Sequence, residues 1–260
     1  QVPKVIGAAR LYELTGDAPD RRAAEYFWEV VTQRHSYANG GNSLNEYFGP
    51  ENTIAARLNG NTTETCNTYN MLKLTRHLVG WCGEAGLTPP MGRAGSPKLD
   101  LVGYYERAVF SHILASQDPR SAAVVYYTPL RAGGKKEFQR LEEDFTCCVG
   151  SGMENHASYG DVVYSIEEGA GGAETVLVNL FIASELTLPG GVVVRQETRF
   201  PDEPATTLRV TAGRPVSVKV RRPAWAIWTS PTIPMAPSAR RACWSTTMAR
   251  RCRPWPCWRP

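Results

Sequence analysis

The sequence has no long apolar run, and we expect no signal peptide in its first residues. None of its 260 residues belongs to a stretch close to the roughly 18 consecutive apolar residues that a membrane helix needs, so we predict no membrane partner. The chain starts with Gln1-Val2-Pro3-Lys4 and enters an amphipathic pattern at once, without the basic and apolar regions of a signal peptide. Because the first residue is not methionine, we expect the natural start to be missing, and a cytoplasmic and a periplasmic location both stay open.

The body of the chain also lacks an excess of positive charge. The net charge is +4, but residues 227–260 contain six arginines, no lysine and no acidic residue. Subtracting these six charges leaves −2 for residues 1–226. No basic stripe with interleaved aromatic residues occurs there, so we predict no nucleic-acid partner. The sequence gives no indication of the oligomeric state.

The cysteines do not fit a disulfide framework. There are seven, an odd number, in a chain long enough to build an apolar core without cross-links. Four lie in the body of the chain, at Cys66, Cys82, Cys147 and Cys148, and three lie after residue 227. We therefore interpret the four body cysteines as reduced thiols or metal ligands.

Apolar residues at helical spacing dominate the first 170 residues, which predicts a mainly α fold. The predicted helices cover residues 5–14, 21–32, 62–81, 99–116 and 152–164. After a glycine-rich stretch at 169–172 the pattern changes, and strands are predicted at 175–181, 192–200 and 216–220. We therefore expect a helical domain at 1–170 and the start of a β domain at 171–226.

The last segment, residues 227–260, fits neither pattern. It contains four tryptophans, three cysteines, six prolines and six arginines without periodicity. Reading a GC-rich gene out of frame produces this mixture, so we expect a frameshift just after Ala226. A genuine proline-rich tail is the alternative.

The most specific chemical pattern is Glu64-Thr65-Cys66 together with Cys147-Cys148. A carboxylate and three thiols suit a tetrahedral zinc ion. Glu64 and Cys66 fall at a predicted helix start, where the helix dipole favours anionic ligands. Zinc deprotonates a coordinating thiol, which would then be both a ligand and a potential nucleophile. On spacing alone, buried structural cysteines and a purely structural zinc site remain alternatives.

A second pattern is the glycine- and asparagine-rich stretch at residues 40–50, which holds one acid, Glu46, beside aromatic residues. Burial against Tyr47 or Phe48 would favour the protonated form that a general acid needs. A solvated loop glutamate is the alternative interpretation.

Three stretches, at residues 40–50, 64–75 and 147–156, resemble glycoside hydrolase families 127 and 146 in the same order. These families form the β-L-arabinofuranosidase group, and the resemblance extends over roughly residues 1–226. It implies that residues 1–170 are the C-terminal part of an (α/α)6 toroid and that residues 171–226 begin a β-sandwich. It also implies zinc-dependent, retaining removal of β-L-arabinofuranosyl residues from plant-type glycans, which makes a carbohydrate the expected partner.

The resemblance also implies roles for individual residues. By position, Cys147 matches the nucleophile, Glu46 matches the acid/base, and Glu64, Cys66 and Cys148 match the other zinc ligands. Four further residues are candidates for sugar contacts, with packing in the core or a helix as the alternative: His35, Tyr126, Tyr127 and His156.

Two other functions stay open at this point. A Cys-His hydrolase would use Cys147 and His156, but it leaves Glu64 and Cys66 without a role. A structural zinc domain, or a decayed fragment, would bind zinc without reacting at Cys147.

Overall fold

The structure, a computed structural model, describes residues 1–82, 86–92, 96–140, 142–169 and 174–224. Within these residues, helices come first and strands follow, which confirms the predicted order. The helices are α1 (Val2–Thr15), α2 (Ala18–Arg34), α3 (Thr65–Cys82), α4 (Leu101–Ala108) and α5 (Cys147–Ala157). The strands are β1 (Tyr164–Glu168), β2 (Glu174–Val178), β3 (Ser184–Leu188), β4 (Val192–Thr198), β5 (Thr206–Thr211) and β6 (Ser217–Val220). Across this part of the chain, the helices lack the length and apolar character that crossing a bilayer requires.

The first three helices pack around one apolar core. Helix α1 ends at Thr15, and the next residue, Gly16, adopts the left-handed conformation and donates its N–H to the Tyr12 carbonyl. Trp28 of α2 and Leu74 of α3 are fully buried in this core. The Trp28 indole donates to the Thr75 hydroxyl at 2.8 Å, so its one polar atom is satisfied inside the core. This packing holds α3 in place, and the first turn of α3 carries part of the candidate site.

The helix predicted at residues 99–116 begins at Leu101, and its hydrogen-bonding pattern changes along its length. Helix α4 passes into a π-helical turn at Val109–Ile113 and then a 3-10 turn at Leu114–Ser116. The π turn carries His112, which is fully buried and lies 2.8 Å from the Thr68 hydroxyl through Nδ1. Such turns often occur at functional sites, and here His112 contacts the first turns of α3.

The helix predicted at residues 152–164 differs from the observed one. Helix α5 begins earlier, at Cys147, and ends at Ala157. The sequence predicts a flexible turn at residues 149–152, because two of the four residues are glycine. In the fold Gly152 is a packing residue, because a Cβ there would lie 2.7 Å from a methyl group of Val124.

The strands form two three-stranded sheets. In the first, β1 and β2 are antiparallel and β2 and β6 are parallel; in the second, β3, β4 and β5 are antiparallel. Val176 from the first sheet and Leu186 and Val194 from the second are buried in one apolar cluster. The sequence predicted β2, β4 and β6 but missed β1, β3 and β5. Among these missed strands, β3 contains one β-branched residue and no aromatic residue.

One buried ion pair joins the helices to the strands. Arg221, directly after β6, lies 2.6 Å from Glu106 of α4, and its Nε donates to the Asn179 carbonyl at 2.6 Å. Both side chains of the pair are nearly inaccessible to solvent. The expected tail at 227–260 and its frameshift lie outside the described residues.

Candidate metal site and active site

Four side chains that are far apart in the sequence converge in the fold. The side-chain ligand atoms of Glu64, Cys66, Cys147 and Cys148 all lie within 4.8 Å of one another. Glu64 directly precedes α3 and Cys66 lies in its first turn, whereas Cys147 and Cys148 are the first two residues of α5. The four residues that the sequence predicted as a group are thus a group in space.

The N-termini of two helices meet at this cluster. Helices α3 and α5 pack against each other, and each begins with residues of the cluster. The N-terminal end of a helix carries a partial positive charge that stabilises a carboxylate or a thiolate. Two such ends favour a site where several anionic ligands are held together.

The donor set and the spacing fit a tetrahedral zinc ion. A sulfur at about 2.3 Å and an oxygen at about 2.1 Å from zinc lie about 3.6 Å from each other. The Cys147 sulfur lies 3.7 Å from Glu64 Oε1. Glu64 and Cys148 are buried and Cys66 is half-buried, whereas Cys147 is exposed. A metal held here would therefore keep one sulfur ligand open to solvent.

The acidic groups of the cluster shift one another's pKa values. Burial, followed by the nearby Cys66 and Glu46, raises the pKa of Glu64 to about 7. Hydrogen bonding with Cys148 lowers the pKa of the Cys66 thiol to about 6, and the same interaction raises the pKa of Cys148. Partial burial raises the pKa of Cys147. Four acidic groups this close ionise together only if a cation shares the site.

Glu46 lies at the tip of a tight turn between Leu44 and Tyr47. The two flanking residues exchange both backbone hydrogen bonds, at 3.0 and 3.1 Å. Asn45 and Glu46 both have positive φ, 48° and 68°, as in a type I′ turn. Glycine is usual at the second of these positions, and another residue costs on the order of 1–2 kcal/mol there. The side chain of Glu46 is exposed, as expected for a solvated loop glutamate.

Tyr126 connects Glu46 to the cluster. Its hydroxyl donates a hydrogen bond to Glu46 Oε1 and lies 3.5 Å from the Cys147 sulfur. Its backbone carbonyl accepts a hydrogen bond from the N–H of Thr65 and lies 3.8 Å from the Cys148 sulfur. Burial, then contact with Cys147, raises the pKa of the Tyr126 hydroxyl, so this group stays protonated and acts as a donor.

The other candidates for sugar contacts differ in where the structure places them. Tyr127 lies at the site, because its backbone pairs with Glu64 and its ring centroid lies 4.7 Å from that of Tyr126. His35 is buried, and its ring centroid lies 5.6 Å from the Phe48 ring rather than among the four ligand atoms. The backbone of His156 belongs to α5, but its side chain lies outside the described residues.

Two serines at the site were not singled out from the sequence. Ser151 of α5 lies 3.2 Å from the Cys66 sulfur through its hydroxyl, and the Ser43 hydroxyl accepts a hydrogen bond from the Glu64 N–H at 3.1 Å. Ser151 follows Cys147 by four residues, which is one helical turn. That spacing would have identified it if α5 had been predicted to begin at the cysteines.

Comparison with known proteins gives two family matches. The model described as Beta-L-arabinofuranosidase, GH127 catalytic domain matches residues 1–161. The model for the GH127 middle domain matches residues 175–239. No curated protein matches the chain.

Fifteen chains of solved structures also match. One of them, titled as a GH127 beta-arabinofuranosidase, aligns with a TM-score of 0.65 and 22% sequence identity over 86% of this chain. At this identity the likeness shows a shared fold. The chain spans 33% of the length of that structure.

Proposed function

Because this chain belongs to the GH127 β-L-arabinofuranosidase family, whose catalytic-domain model matches residues 1–161, we propose that it is a retaining glycoside hydrolase. Its substrates are β-L-arabinofuranosyl residues at the ends of plant-type glycans. The observation that carries the proposal is the bridge made by Tyr126 between Glu46 and Cys147, beside the Glu64/Cys66/Cys147/Cys148 cluster.

The proposal extends to the architecture. Residues 1–170 are the C-terminal part of an (α/α)6 toroid, and residues 171–226 begin a β-sandwich. Only composition supports a frameshifted tail at residues 227–260, since the middle-domain match extends to residue 239. The packed helices with long functional loops support the toroid. The apolar cluster that the two sheets share supports the sandwich.

In this proposal, Glu64, Cys66, Cys147 and Cys148 would hold zinc. When bound, zinc supplies the positive charge that keeps coordinating thiols in the thiolate form. Glu64 and Cys148 are buried and would fix the position of the site, whereas the exposed Cys147 sulfur can reach a sugar. This division gives Cys147 the additional role of nucleophile.

The reaction proceeds in two displacements. In the first, the Cys147 sulfur bonds to the anomeric carbon as the bond to the leaving oxygen breaks, and Glu46 gives its proton to that oxygen. In the second, Glu46 takes a proton from water, the water oxygen bonds to the anomeric carbon, and the carbon–sulfur bond breaks. Two inversions at the same carbon retain its configuration.

The geometry at Tyr126 suits this mechanism. Because one hydroxyl contacts both groups, a Glu46 oxygen and the Cys147 sulfur lie within two hydrogen-bond lengths, about 6 Å, of each other. Retaining glycosidases separate their two catalytic groups by about 5–5.5 Å. A water-activating inverting enzyme needs a wider gap, so the bridge favours retention.

The direct test is hydrolysis of an aryl β-L-arabinofuranoside by the full chain, with the first-formed sugar anomer followed by NMR. We expect release of β-L-arabinofuranose, and labelling of Cys147 by a cyclitol epoxide that mimics this sugar. Release of the α-anomer would contradict the mechanism. Zinc binding without hydrolysis or labelling would instead indicate the structural zinc site.

The Cys-His hydrolase would use Cys147 and His156, and the side chain of His156 lies outside the described residues. This alternative leaves Glu64 and Cys66 without a role, although their ligand atoms lie within 4.8 Å of the Cys147 sulfur. Ester or amide hydrolysis that needs a thiol and survives chelation of zinc would favour this alternative.

Replacing Glu46 by glutamine is expected to slow hydrolysis of a glycan with a poor leaving group by about 10²–10⁴-fold, because proton transfer is lost. Hydrolysis of a nitrophenyl glycoside, whose leaving group needs little protonation, should fall much less in its first step. The kcat/KM values with both substrates, which report the first displacement, check this. Glu51→Gln is the matched control, since Glu51 follows the same loop and pairs with Arg34 at the end of α2. Equal losses in kcat/KM with both substrates would rule out an acid role for Glu46.

Replacing Tyr126 by phenylalanine removes the hydroxyl that contacts Glu46 and Cys147 but keeps the ring. We expect kcat to fall by about 10–100-fold with little change in the zinc content, because loss of an orienting partner misplaces the reacting groups. Tyr47→Phe, beside Glu46 and exposed, is the control. A Tyr126→Phe chain with wild-type kcat would show that the bridge has no role in the reaction.

A further inference from the structure

The residue directly before Glu64 has a backbone conformation that its type rarely adopts. Thr63 has a φ of 53° and is fully buried. The branched Cβ of threonine makes this left-handed region unfavourable, and such an outlier persists only where the surroundings enforce it. It lies between Thr62, which pairs with Leu44, and Glu64, which pairs with Tyr127 just before helix α3 begins.

Contacts on several sides enforce the conformation of Thr63. Its N–H donates to the Ser43 carbonyl at 2.7 Å, and its carbonyl accepts from the Thr128 N–H at 3.2 Å. Its hydroxyl donates to the Thr128 carbonyl at 2.9 Å and accepts from the Asn39 amide at 3.3 Å. Every polar atom of Thr63 therefore has a partner.

The side chain of Thr63 is also enclosed by close packing. A Cβ added to Gly41 would lie 2.4 Å from the Thr63 Cβ and 2.5 Å from its methyl group, so this contact requires glycine at position 41. Gly41 belongs to the stretch 40–50 that also carries Glu46. The loop of the candidate acid/base thus packs directly on the residue that precedes a candidate metal ligand.

We propose that Thr63 is a positioning residue whose strained backbone fixes Glu64 and Cys66 relative to Cys147 and Cys148. This inference rests on the proposed metal site. With Thr63 held, the Glu64 N–H bonds to the Ser43 hydroxyl at 3.1 Å and the carboxylate reaches to 3.7 Å from the Cys147 sulfur. The surrounding contacts offset the strain at this position. The backbone held in this way restricts the positions that Glu64 and Cys66 can take before metal binds.

The test compares Thr63→Gly with Thr62→Gly. Both threonines are fully buried and donate to the Thr128 carbonyl, but Thr62 does not have a positive φ. Glycine relieves strain only at position 63. We therefore expect metal-free Thr63→Gly to melt at a higher temperature than Thr62→Gly. For Co²⁺, followed by its thiolate absorption, we expect the Kd of Thr63→Gly to rise by about tenfold or more and that of Thr62→Gly by much less.

A purely structural role predicts that stability and metal affinity fall together in both variants, and this result would overturn the inference. Unchanged Co²⁺ affinity in Thr63→Gly would also overturn it while leaving the metal site intact. A wild-type chain that binds no Co²⁺ would overturn both the metal site and the inference.

If Thr63→Gly does not fold, Thr63→Ser keeps the hydroxyl bonds and loses only the methyl group against Gly41. We expect it to bind Co²⁺ with a Kd between wild type and a tenfold rise, and wild-type affinity would overturn the inference.

Discussion

Replacing Cys147 by alanine is expected to reduce arabinofuranosidase activity by about 10⁴-fold or more, because the attacking sulfur is lost. Glu64, Cys66 and Cys148 remain in this variant, and three protein ligands are enough to hold a catalytic zinc. We therefore expect the variant to keep zinc, with reduced affinity. Rates with an aryl arabinofuranoside and elemental analysis of the same preparation check both statements.

Cys82→Ala is the matched control for the loss of Cys147. Cys82 is also a free thiol, but it ends helix α3 and is half-buried away from the four ligand atoms. It should keep wild-type activity and zinc content. A Cys147→Ala chain that still hydrolyses the substrate at a rate near wild type would exclude this sulfur as the nucleophile.

Replacing Cys66 by alanine is expected to have the largest effect on the metal. Cys66 lies among the three other ligand atoms and its sulfur lies 3.2 Å from the Ser151 hydroxyl, so its loss removes both a ligand and a contact between α3 and α5. Losing an outer-shell partner of a metal typically costs 10–100-fold in affinity, and we expect losing this ligand to cost more than about 100-fold. Activity should fall with the zinc content.

Zinc per chain, measured by elemental analysis after dialysis, decides this prediction. Wild type and Cys82→Ala should contain about one zinc per chain, as a four-ligand site implies, and Cys66→Ala should contain far less. Ser151→Ala separates the two contributions of Cys66, because it removes the contact and keeps the ligand. A Cys66→Ala chain with full zinc content would exclude Cys66 from the metal site.

The residues of the candidate site could be predicted because their chemistry is recorded in short motifs. A carboxylate and three thiols suit a zinc ion, but on residue type alone buried structural cysteines were an alternative to a metal site. The resemblance of the surrounding motifs to a known family favoured the metal site. The order of helices and strands also followed from apolar periodicity, which reports which face of an element is buried. Both kinds of information are local in the sequence.

Other features depend on contacts between distant segments, which a single sequence does not record. The sequence predicts Gly152 in a flexible turn that leads into a helix, but in the fold it allows α5 to pack against Val124. The positive φ of Thr63 follows from contacts with residues 20 to 65 positions away in the chain. The exposure of Glu46 depends on a turn whose second position usually holds glycine. In each case tertiary packing overrides the local preference.

The ion pair between Arg221 and Glu106 determines which segments of this chain can be produced separately. A cut between the two family matches, at residues 162–174, would remove Arg221 and break this ion pair. In an intact domain the loss of one partner of a buried pair costs about 3–5 kcal/mol, a large part of the stability of a typical domain. The unit of folding in this chain therefore crosses the boundary between the catalytic and middle segments of the family, and expression designs that stop at that boundary would destabilise α4.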